Sequence, residues 1–223
     1  MKLTFLIIAF CFVSIFSNAQ QNYEWPIKTL DTARDVTYLS EEEKDIILEM
    51  NMLRHNPSAY AQKHILWMRV FYHGKVLEIP GKTPFKTHEG VEAYDECLEA
   101  LKKAEPAPPL TPSKGMSKAC KLLVYDQELT GKTGHKDSAG NQPIDRMHKF
   151  GNFSGFFAEN IHYGDIEPRF AIISLLIDDG VRSRGHRKNL LNPEYKYTGI
   201  ATGEHKEFGG ICVINYASEY TDK

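Results

Sequence analysis

Four polar positions lie where apolar segments of the chain end, and their side chains are of types that bind metals or transfer protons. His135 lies in a loop punctuated by glycines, and Glu159 follows two phenylalanines and an alanine. Asp178 and Asp179 form an acidic pair after an apolar run, and His186 follows a glycine. Two histidines and two carboxylates could ligate a divalent metal such as zinc and leave positions open for water. The same groups could instead form an acid–base pair.

Sequence spacing alone does not join these residues into one site. No His-x-x-x-His spacing links the two histidines, and a lone histidine after a glycine is more often a helix cap or a hydrogen-bonding core residue. Ser138 lies near His135, but a serine and a histidine form a catalytic pair only in suitable geometry. The sequence also lacks the Gly-x-Ser-x-Gly elbow, the Walker loop, the dinucleotide-binding glycine fingerprint and the His-Glu-x-x-His motif.

The stretch 175–193 predicts one wall of a polar cleft. Pro168 starts an apolar helix over 169–179, and Gly180 ends it directly after the acidic pair. The short loop that follows is basic and carries Arg182, Arg184 and Arg187. Packing alone does not explain two acids, a histidine and three arginines beside a core helix. We expect scaffold or rim roles for the arginines, although their charge could also attract an anionic ligand.

Helical spacing of apolar residues and N-terminal signals predict four more long helices. The first spans 40–55 and begins at a capping box formed by Ser40. The second begins at Pro57, and the third spans 89–104. The fourth follows Thr111-Pro112, which we interpret as an N-cap and a first-turn proline.

The C-terminal part is predicted to form a β-hairpin. Residues 197–203 and 210–218 are rich in β-branched and aromatic residues, and a short turn joins them. One short strand is predicted at 75–79, and a short helix begins at Pro143. Because helices come first and strands last, the sequence predicts an α+β fold rather than an alternating βαβ fold.

The N-terminus has the pattern of a secretory signal peptide. Lys2 precedes an apolar run over 3–16, and small residues follow at a cleavage site. The run is short for a membrane span, and the bulky residue before Cys11 disfavours a lipoprotein site. We expect a signal peptide (1–19), an extended arm (20–39) and a single domain (40–223), in a secreted or periplasmic protein.

Composition and cysteine content are those of an ordinary globular domain. The 223-residue chain is 42% hydrophobic and 25% charged with a net charge of -2, so its charge does not indicate a nucleic-acid partner. After signal cleavage no segment is long and apolar enough for an integral membrane span. The mature chain keeps Cys97, Cys120 and Cys212, for which we favour buried free thiols over a Cys97–Cys120 disulfide.

The order of several motifs resembles the CAP superfamily of cysteine-rich secretory proteins, insect antigen 5, plant pathogenesis-related proteins and secreted bacterial relatives. Asn51, Arg54 and Pro57 are similar to its opening Asn-x-x-Arg-x-x-Pro helix. Gly134-His135, with Asp145-Arg146 further on, is similar to its first histidine segment. Two further motifs are Ala158-Glu159-Asn160-Ile161, similar to Gly-Glu-Asn-Ile/Leu, and residues 183–191, similar to the bacterial Ser-x-Gly-His-Arg-x-Asn-Ile-Leu motif. Residues 197–201 are similar to the strand that follows. The match covers about residues 44–218.

This resemblance implies an α-β-α sandwich around a small antiparallel sheet. It also implies a cavity built from His135, Glu159, His186 and an acid on the preceding helix, either Asp178 or Asp179, that binds zinc or another divalent cation in several members. The chain departs from the family at two places. Ala158 replaces a glycine before Glu159, and an aspartate stands where the family has a longer glutamate after a tryptophan.

Three functions are compatible with this sequence. The first is a secreted binding module that holds a metal in its cavity and takes a lipid, a peptide or a cell-wall component. The second is a hydrolase acting on peptide or cell-wall material, in which Glu159 activates a metal-bound water. The third is an interaction domain whose four polar residues form only a buried network. Because the sequence offers no nucleophile with a matched base, we favour binding and leave catalysis open.

Overall fold

The computed structural model describes residues 23–223, so the predicted signal peptide lies outside the described residues. The helices are α1 (Ile27–Leu30), α2 (Glu41–His55), α3 (Pro57–Tyr60), α4 (Val91–Lys103), α5 (Lys114–Thr130), α6 (Pro143–His148), α7 (Pro168–Ile177) and α8 (Gly185–Leu191). The strands are β1 (Tyr72–His73), β2 (Val76–Leu77), β3 (Phe85–Lys86), β4 (Thr111–Pro112), β5 (Gly151–Tyr163), β6 (Tyr197–His205) and β7 (Gly209–Asp222). These elements are an α+β mixture, as predicted.

A four-stranded sheet with the order β4-β6-β7-β5 carries the candidate site. β6 and β7 pair antiparallel from Tyr197↔Ala217 to His205↔Gly209, which confirms the predicted hairpin. β5 pairs antiparallel with β7 and forms one edge of the sheet. β4 pairs parallel with β6, so the sheet is mixed rather than wholly antiparallel.

Helices cover both faces of this sheet, in agreement with the expected α-β-α layers. α5 contacts β6 and β7 on one face, and α6 contacts β5. On the other face, α2 contacts β6, while α7 and α8 contact β5. Side chains of β7 alternate between the two layers. Ile214 and Tyr216 join the core on the α2 face, and Val213 and Ala217 join the cores under α5.

The beginnings of two helices show where local sequence signals succeed and fail. The capping box of α2 forms as predicted, because Ser40 Oγ accepts from the Glu43 N–H at 3.1 Å and the Glu43 carboxylate accepts from the Ser40 N–H at 2.8 Å. The predicted start of α5 is wrong. Thr111–Pro112 forms strand β4, and Ser113 is the N-cap, with its Oγ accepting from Met116 N–H at 3.2 Å. Thr111 pairs with Tyr197 of β6 in the parallel ladder, so the helix begins only after this strand.

The N-terminal arm is not extended throughout, contrary to expectation. Its short helix α1 places Leu30 in the core, and Ala33 is buried nearby. Two motif residues of α2 anchor the arm and distant loops. Asn51 Nδ2 donates to Leu30 O at 2.8 Å, and the buried Arg54 donates to four main-chain carbonyls. These two residues therefore have scaffold roles.

Other details complete the scaffold. After α3 the chain continues as one π-helical turn and a 3₁₀ segment, and the predicted strand at 75–79 is shortened to β2 in a small three-stranded sheet with β1 and β3. Cys97, Cys120 and Cys212 are free and buried, as favoured from the sequence. None of the helices within 23–223 has both the length and the apolar character that crossing a bilayer requires.

Candidate functional site

His135 and Glu159 form the first of two histidine–carboxylate pairs. His135 Nδ1 lies 2.9 Å from Glu159 Oε1. The glutamate side chain is 1% exposed, whereas the imidazole is 49% exposed. Because a carboxylate only accepts hydrogen bonds, the neutral imidazole carries its proton on Nδ1. The lone pair of Nε2 is therefore available on the solvent side.

A buried arginine completes this pair. Arg146 is fully buried and donates to Glu159 Oε2 at 2.7 Å. Its other terminal nitrogen donates to the main-chain oxygens of His135 and Asn141 at 2.9 and 3.0 Å. Arg146 thus compensates the carboxylate charge and fixes the histidine loop. In the sequence, Arg146 stands out only as part of the first histidine motif, and nothing there indicates this role.

Two further side chains hold the loop before His135. Tyr163 Oη accepts from Gly134 N–H at 2.8 Å and donates to Gln127 Oε1 at 2.8 Å. Gln127 Nε2 closes the ring by donating to Gly134 O at 2.6 Å. Burial raises the pKa of Tyr163, so its hydroxyl keeps its proton at neutral pH. Ser138 contacts the Asp126 carboxylate instead of His135, so the two do not form a catalytic pair.

His186 and Asp178 form the second pair. His186 Nδ1 lies 2.6 Å from Asp178 Oδ1, and the His186 main-chain N–H donates to Asp178 Oδ2 at 2.9 Å. The aspartate side chain is 1% exposed and the imidazole 25%. Asp179 faces elsewhere, because its carboxylate accepts from the N–H groups of His88 and Glu89 at 2.6 and 2.8 Å. Asp178 is therefore the acid beside His186.

Two arginines hold the second pair in place. Arg184 binds both oxygens of Glu89, at 2.7 and 2.9 Å, and donates to Asp178 O at 2.9 Å. The Arg184 guanidinium lowers the pKa of Glu89 to about 2. The buried Arg187 binds both oxygens of Glu96 on α4, at 2.7 and 2.9 Å, and also Leu176 O at the end of α7. These contacts give both residues the scaffold role expected of them.

Strand β5 connects the two pairs. Consecutive strand residues point to opposite faces of a sheet. Glu159 bonds His135 beside α6, while Asn160 Nδ2 donates to His186 O at 3.0 Å and Asn160 Oδ1 accepts from Asn189 at 2.8 Å. Adjacent residues of one edge strand therefore hold the two halves of the candidate site, which lie far apart in sequence.

The hydrogen bonds of the two pairs determine which of their atoms could bind a metal. Within residues 23–223, no three His, Cys, Asp or Glu side chains are close enough to share one ion. In each pair, however, the carboxylate binds Nδ1 and leaves Nε2 without a hydrogen-bond partner among the described residues. A histidine that ligates a metal commonly donates its other N–H to a carboxylate in this way. Each of the two imidazoles, taken singly, therefore has the carboxylate partner of a metal-ligating histidine.

Comparison with known proteins identifies the family. The family model of the cysteine-rich secretory proteins, abbreviated CAP, matches residues 50–216, which are most of the chain. The uncharacterized protein YkwD of Bacillus subtilis (strain 168) is 28% identical over 114 residues. That match covers 49% of this chain and 42% of YkwD, so the chain spans less than half the length of this relative.

Two solved structures are also similar. An extracellular protein containing an SCP domain from Bacillus anthracis str. Ames gives a TM-score of 0.41 at 20% identity and covers 51% of this chain and 35% of that one. An outer surface protein from Borrelia burgdorferi gives a TM-score of 0.41 at 20% identity, with 58% of this chain and 90% of that one covered. On the family match, the chain belongs to the cysteine-rich secretory protein (CAP) family.

Proposed function

We propose that this protein is an exported binding module that holds a divalent metal, zinc or a similar cation, on His135 and His186. The observation that supports it is shared by both residues. In each imidazole, Nδ1 is hydrogen-bonded to a buried carboxylate, and Nε2 has no hydrogen-bond partner among the described residues. Such a carboxylate fixes the tautomer and orientation of a ligating ring and increases its basicity.

The metal would be an anchor for a ligand rather than a structural centre. Two imidazole nitrogens are fewer than the four protein ligands of a typical structural zinc site. A bound cation would supply a Lewis-acidic centre with open positions for oxygen or nitrogen atoms of a ligand. The ligand would be a lipid, a peptide or a cell-wall component met outside the cytoplasm, which the leader-like pattern of residues 1–19 supports.

The carboxylate contacts favour binding over hydrolysis. Glu159 accepts from His135 with one oxygen and from Arg146 with the other. Both oxygens of Asp178 accept from His186. Neither carboxylate is therefore placed as a free base for a metal-bound water, which the alternative of a metal-assisted hydrolase requires.

Calorimetric titration with zinc at neutral pH tests the proposal. We expect the wild-type protein to bind one ion, and we expect His135→Ala and His186→Ala each to weaken binding at least tenfold, since each removes a ligand. Asp178→Asn should weaken it by about 10–100-fold, because the imidazole loses its charged partner. His148→Ala is the control, since that side chain is exposed and lies outside both pairs. Equal affinity for zinc in the wild type and in both histidine variants would show that the proposed site is wrong.

A further inference from the structure

A cavity lies between the end of β5, the start of α7, the loop before β3 and the turn that joins β6 to β7. It has a volume of about 630 Å³ and is lined by aromatic residues, two hydroxyl side chains and His162. We name it the Phe170 cavity after the ring that α7 contributes. A volume of this size is typical of small-molecule pockets. The cavity contains neither histidine–carboxylate pair, so it is separate from the proposed metal site.

His162 gives this cavity a hydrogen-bond acceptor. Its ring Nε2 lies 2.9 Å from Asp165 O. A main-chain carbonyl only accepts, so the imidazole carries its proton on Nε2 and exposes a lone pair on Nδ1. Burial lowers the pKa of His162 and outweighs the main-chain oxygen and the carboxylate of Asp165, which raise it, so the ring is neutral at neutral pH. Among residues 23–223, Nδ1 has no hydrogen-bond partner, although the residue is only 6% exposed.

The walls of the cavity favour a flat apolar group. The rings of Phe85 and Phe170 meet edge to face with centroids 6.2 Å apart. Phe85 and Phe208 are 44% and 43% exposed although they line a concave surface. Aromatic rings at such positions bind another ring through edge-to-face or offset-stacked contacts.

The charges at the cavity are already compensated. The Lys82 ammonium forms an ion pair with the Asp165 carboxylate and lies 4.5 Å from the centre of the Phe170 ring. Because the lysine and the carboxylate already neutralise each other, the cavity offers a ligand no unpaired charge, and a neutral ligand is favoured. Its polar atom should be a donor, because Nδ1 of His162 can only accept a hydrogen bond when Nε2 carries the proton.

We infer that the Phe170 cavity binds a neutral aromatic ring that carries a hydroxyl group, of the kind a tyrosine side chain presents, with the hydroxyl donating to Nδ1 of His162. The ring would pack against Phe85 and Phe170. This pocket would add a selective contact to the protein, and it does not depend on a metal. A histidine with a purely structural role, whose Nδ1 meets only solvent, would not distinguish a phenol from a phenyl ring.

Two matched ligands test this inference. N-acetyl-tyrosinamide and N-acetyl-phenylalaninamide differ only in the hydroxyl, and binding is followed by NMR titration at pH 7.5 with EDTA present. We expect the tyrosine compound to bind about tenfold more tightly, since one hydrogen bond is worth about 1.4 kcal/mol. Equal affinities for the two compounds, or binding of neither, would overturn the inference. EDTA keeps this outcome independent of the zinc titration.

Two matched variants locate the pocket. Phe85→Ala should weaken binding of the tyrosine compound at least fivefold, whereas Phe156→Ala should leave it unchanged. Both phenylalanines are exposed, at 44% and 64%, so neither substitution opens the core. His162→Leu should abolish the preference for the hydroxyl. If the Phe85 and Phe156 variants bind the compound equally well, the cavity is not its site.

Discussion

At the scale of single residues, the charge of Glu159 is compensated inside the protein rather than by solvent. Arg146 and His135 take one carboxylate oxygen each. A buried ion pair contributes little net stability, but removal of one partner leaves an uncompensated buried charge. The role of Arg146 therefore shows most clearly when the arginine alone is removed.

Arg146→Met should lower the free energy of unfolding by about 3–5 kcal/mol, because the carboxylate of Glu159 would remain buried without its cation. Urea denaturation measures the change. Lys149→Met is the control, since it also removes one positive charge but at an exposed position just after α6. It should change stability by no more than about 0.5 kcal/mol. Similar losses in the two variants would contradict a specific role for Arg146.

The choice between Asp178 and Asp179 could not be made from the sequence. α7 ends at Ile177, and Asp178 takes a left-handed backbone conformation with φ 56°. This turn separates two consecutive carboxylates, one bonding His186 and the other the segment before α4. Arg184, with φ 52°, is the other non-glycine residue at positive φ in the described chain, and its side chain donates back to Asp178 O. Helical periodicity does not reveal such a turn, whereas residue types and motif order did indicate both histidines and Glu159.

At the scale of elements, the hairpin β6–β7 was predictable and the edge strand β5 was not. The hairpin strands are long runs of β-branched and aromatic residues. In β5, Gly151 and Gly155 interrupt the pattern, and a bulge between Ser154 and Phe157 shifts the register. A bulge breaks the period of two on which strand prediction depends. The element that connects the two pairs therefore has a weaker sequence signal than the hairpin beside it.

Close contact between α5 and β6 explains why position 199 is a glycine. A Cβ built on Gly199 would lie 2.3 Å from the main-chain carbonyl carbon of Met116. Gly199→Ala should therefore destabilise the fold by at least about 3 kcal/mol, at the upper end of overpacking costs. Thermal or chemical denaturation measures this loss of stability.

Gly185→Ala provides the matched comparison on α8. A Cβ there meets only Ser183 Oγ at 3.5 Å, and the residue is helical. This substitution should be neutral or stabilise by about 0.5 kcal/mol, since alanine is the better helix former. A Gly199→Ala protein as stable as Gly185→Ala would show that α5 and β6 do not pack so closely.

At the scale of the whole molecule, the layered fold followed from motif order, but the packing of the N-terminal arm did not. Trp25, near the start of the described chain, stacks on His64 with ring centroids 6.3 Å apart and an interplanar angle of 23°. Trp25 Nε1 and His64 Nε2 are both buried without a hydrogen-bond partner within 23–223. The arm contains no periodic pattern that would have predicted this contact.

This contact predicts a dependence of stability on pH. Burial lowers the pKa of His64 to about 4, the charges of Arg169 and Lys63 lower it as well, and Glu49 opposes them. An unfolded chain protonates the same ring near pH 6.5. The stabilisation linked to His64 is therefore complete above about pH 6.5 and is lost as the pH falls toward 4.

Unfolding free energies measured from pH 7.5 to 4 should show this loss. Wild type should lose roughly 2–3 kcal/mol more than His64→Phe over that interval. His148→Phe is the control and should follow the wild-type curve, because His148 is exposed. Parallel curves for wild type and His64→Phe would show that His64 titrates equally in both states.

The central claim is that the two imidazoles of the site are held with Nδ1 on a buried carboxylate and Nε2 open. Long-range proton–nitrogen NMR of ¹⁵N-histidine-labelled protein reads the tautomer of each ring directly. We predict that neutral His135 and His186 carry the proton on Nδ1, and that added zinc shifts the Nε2 resonance of both rings. Protons on Nε2 in the metal-free protein, or zinc-induced shifts confined to other histidines, would contradict it.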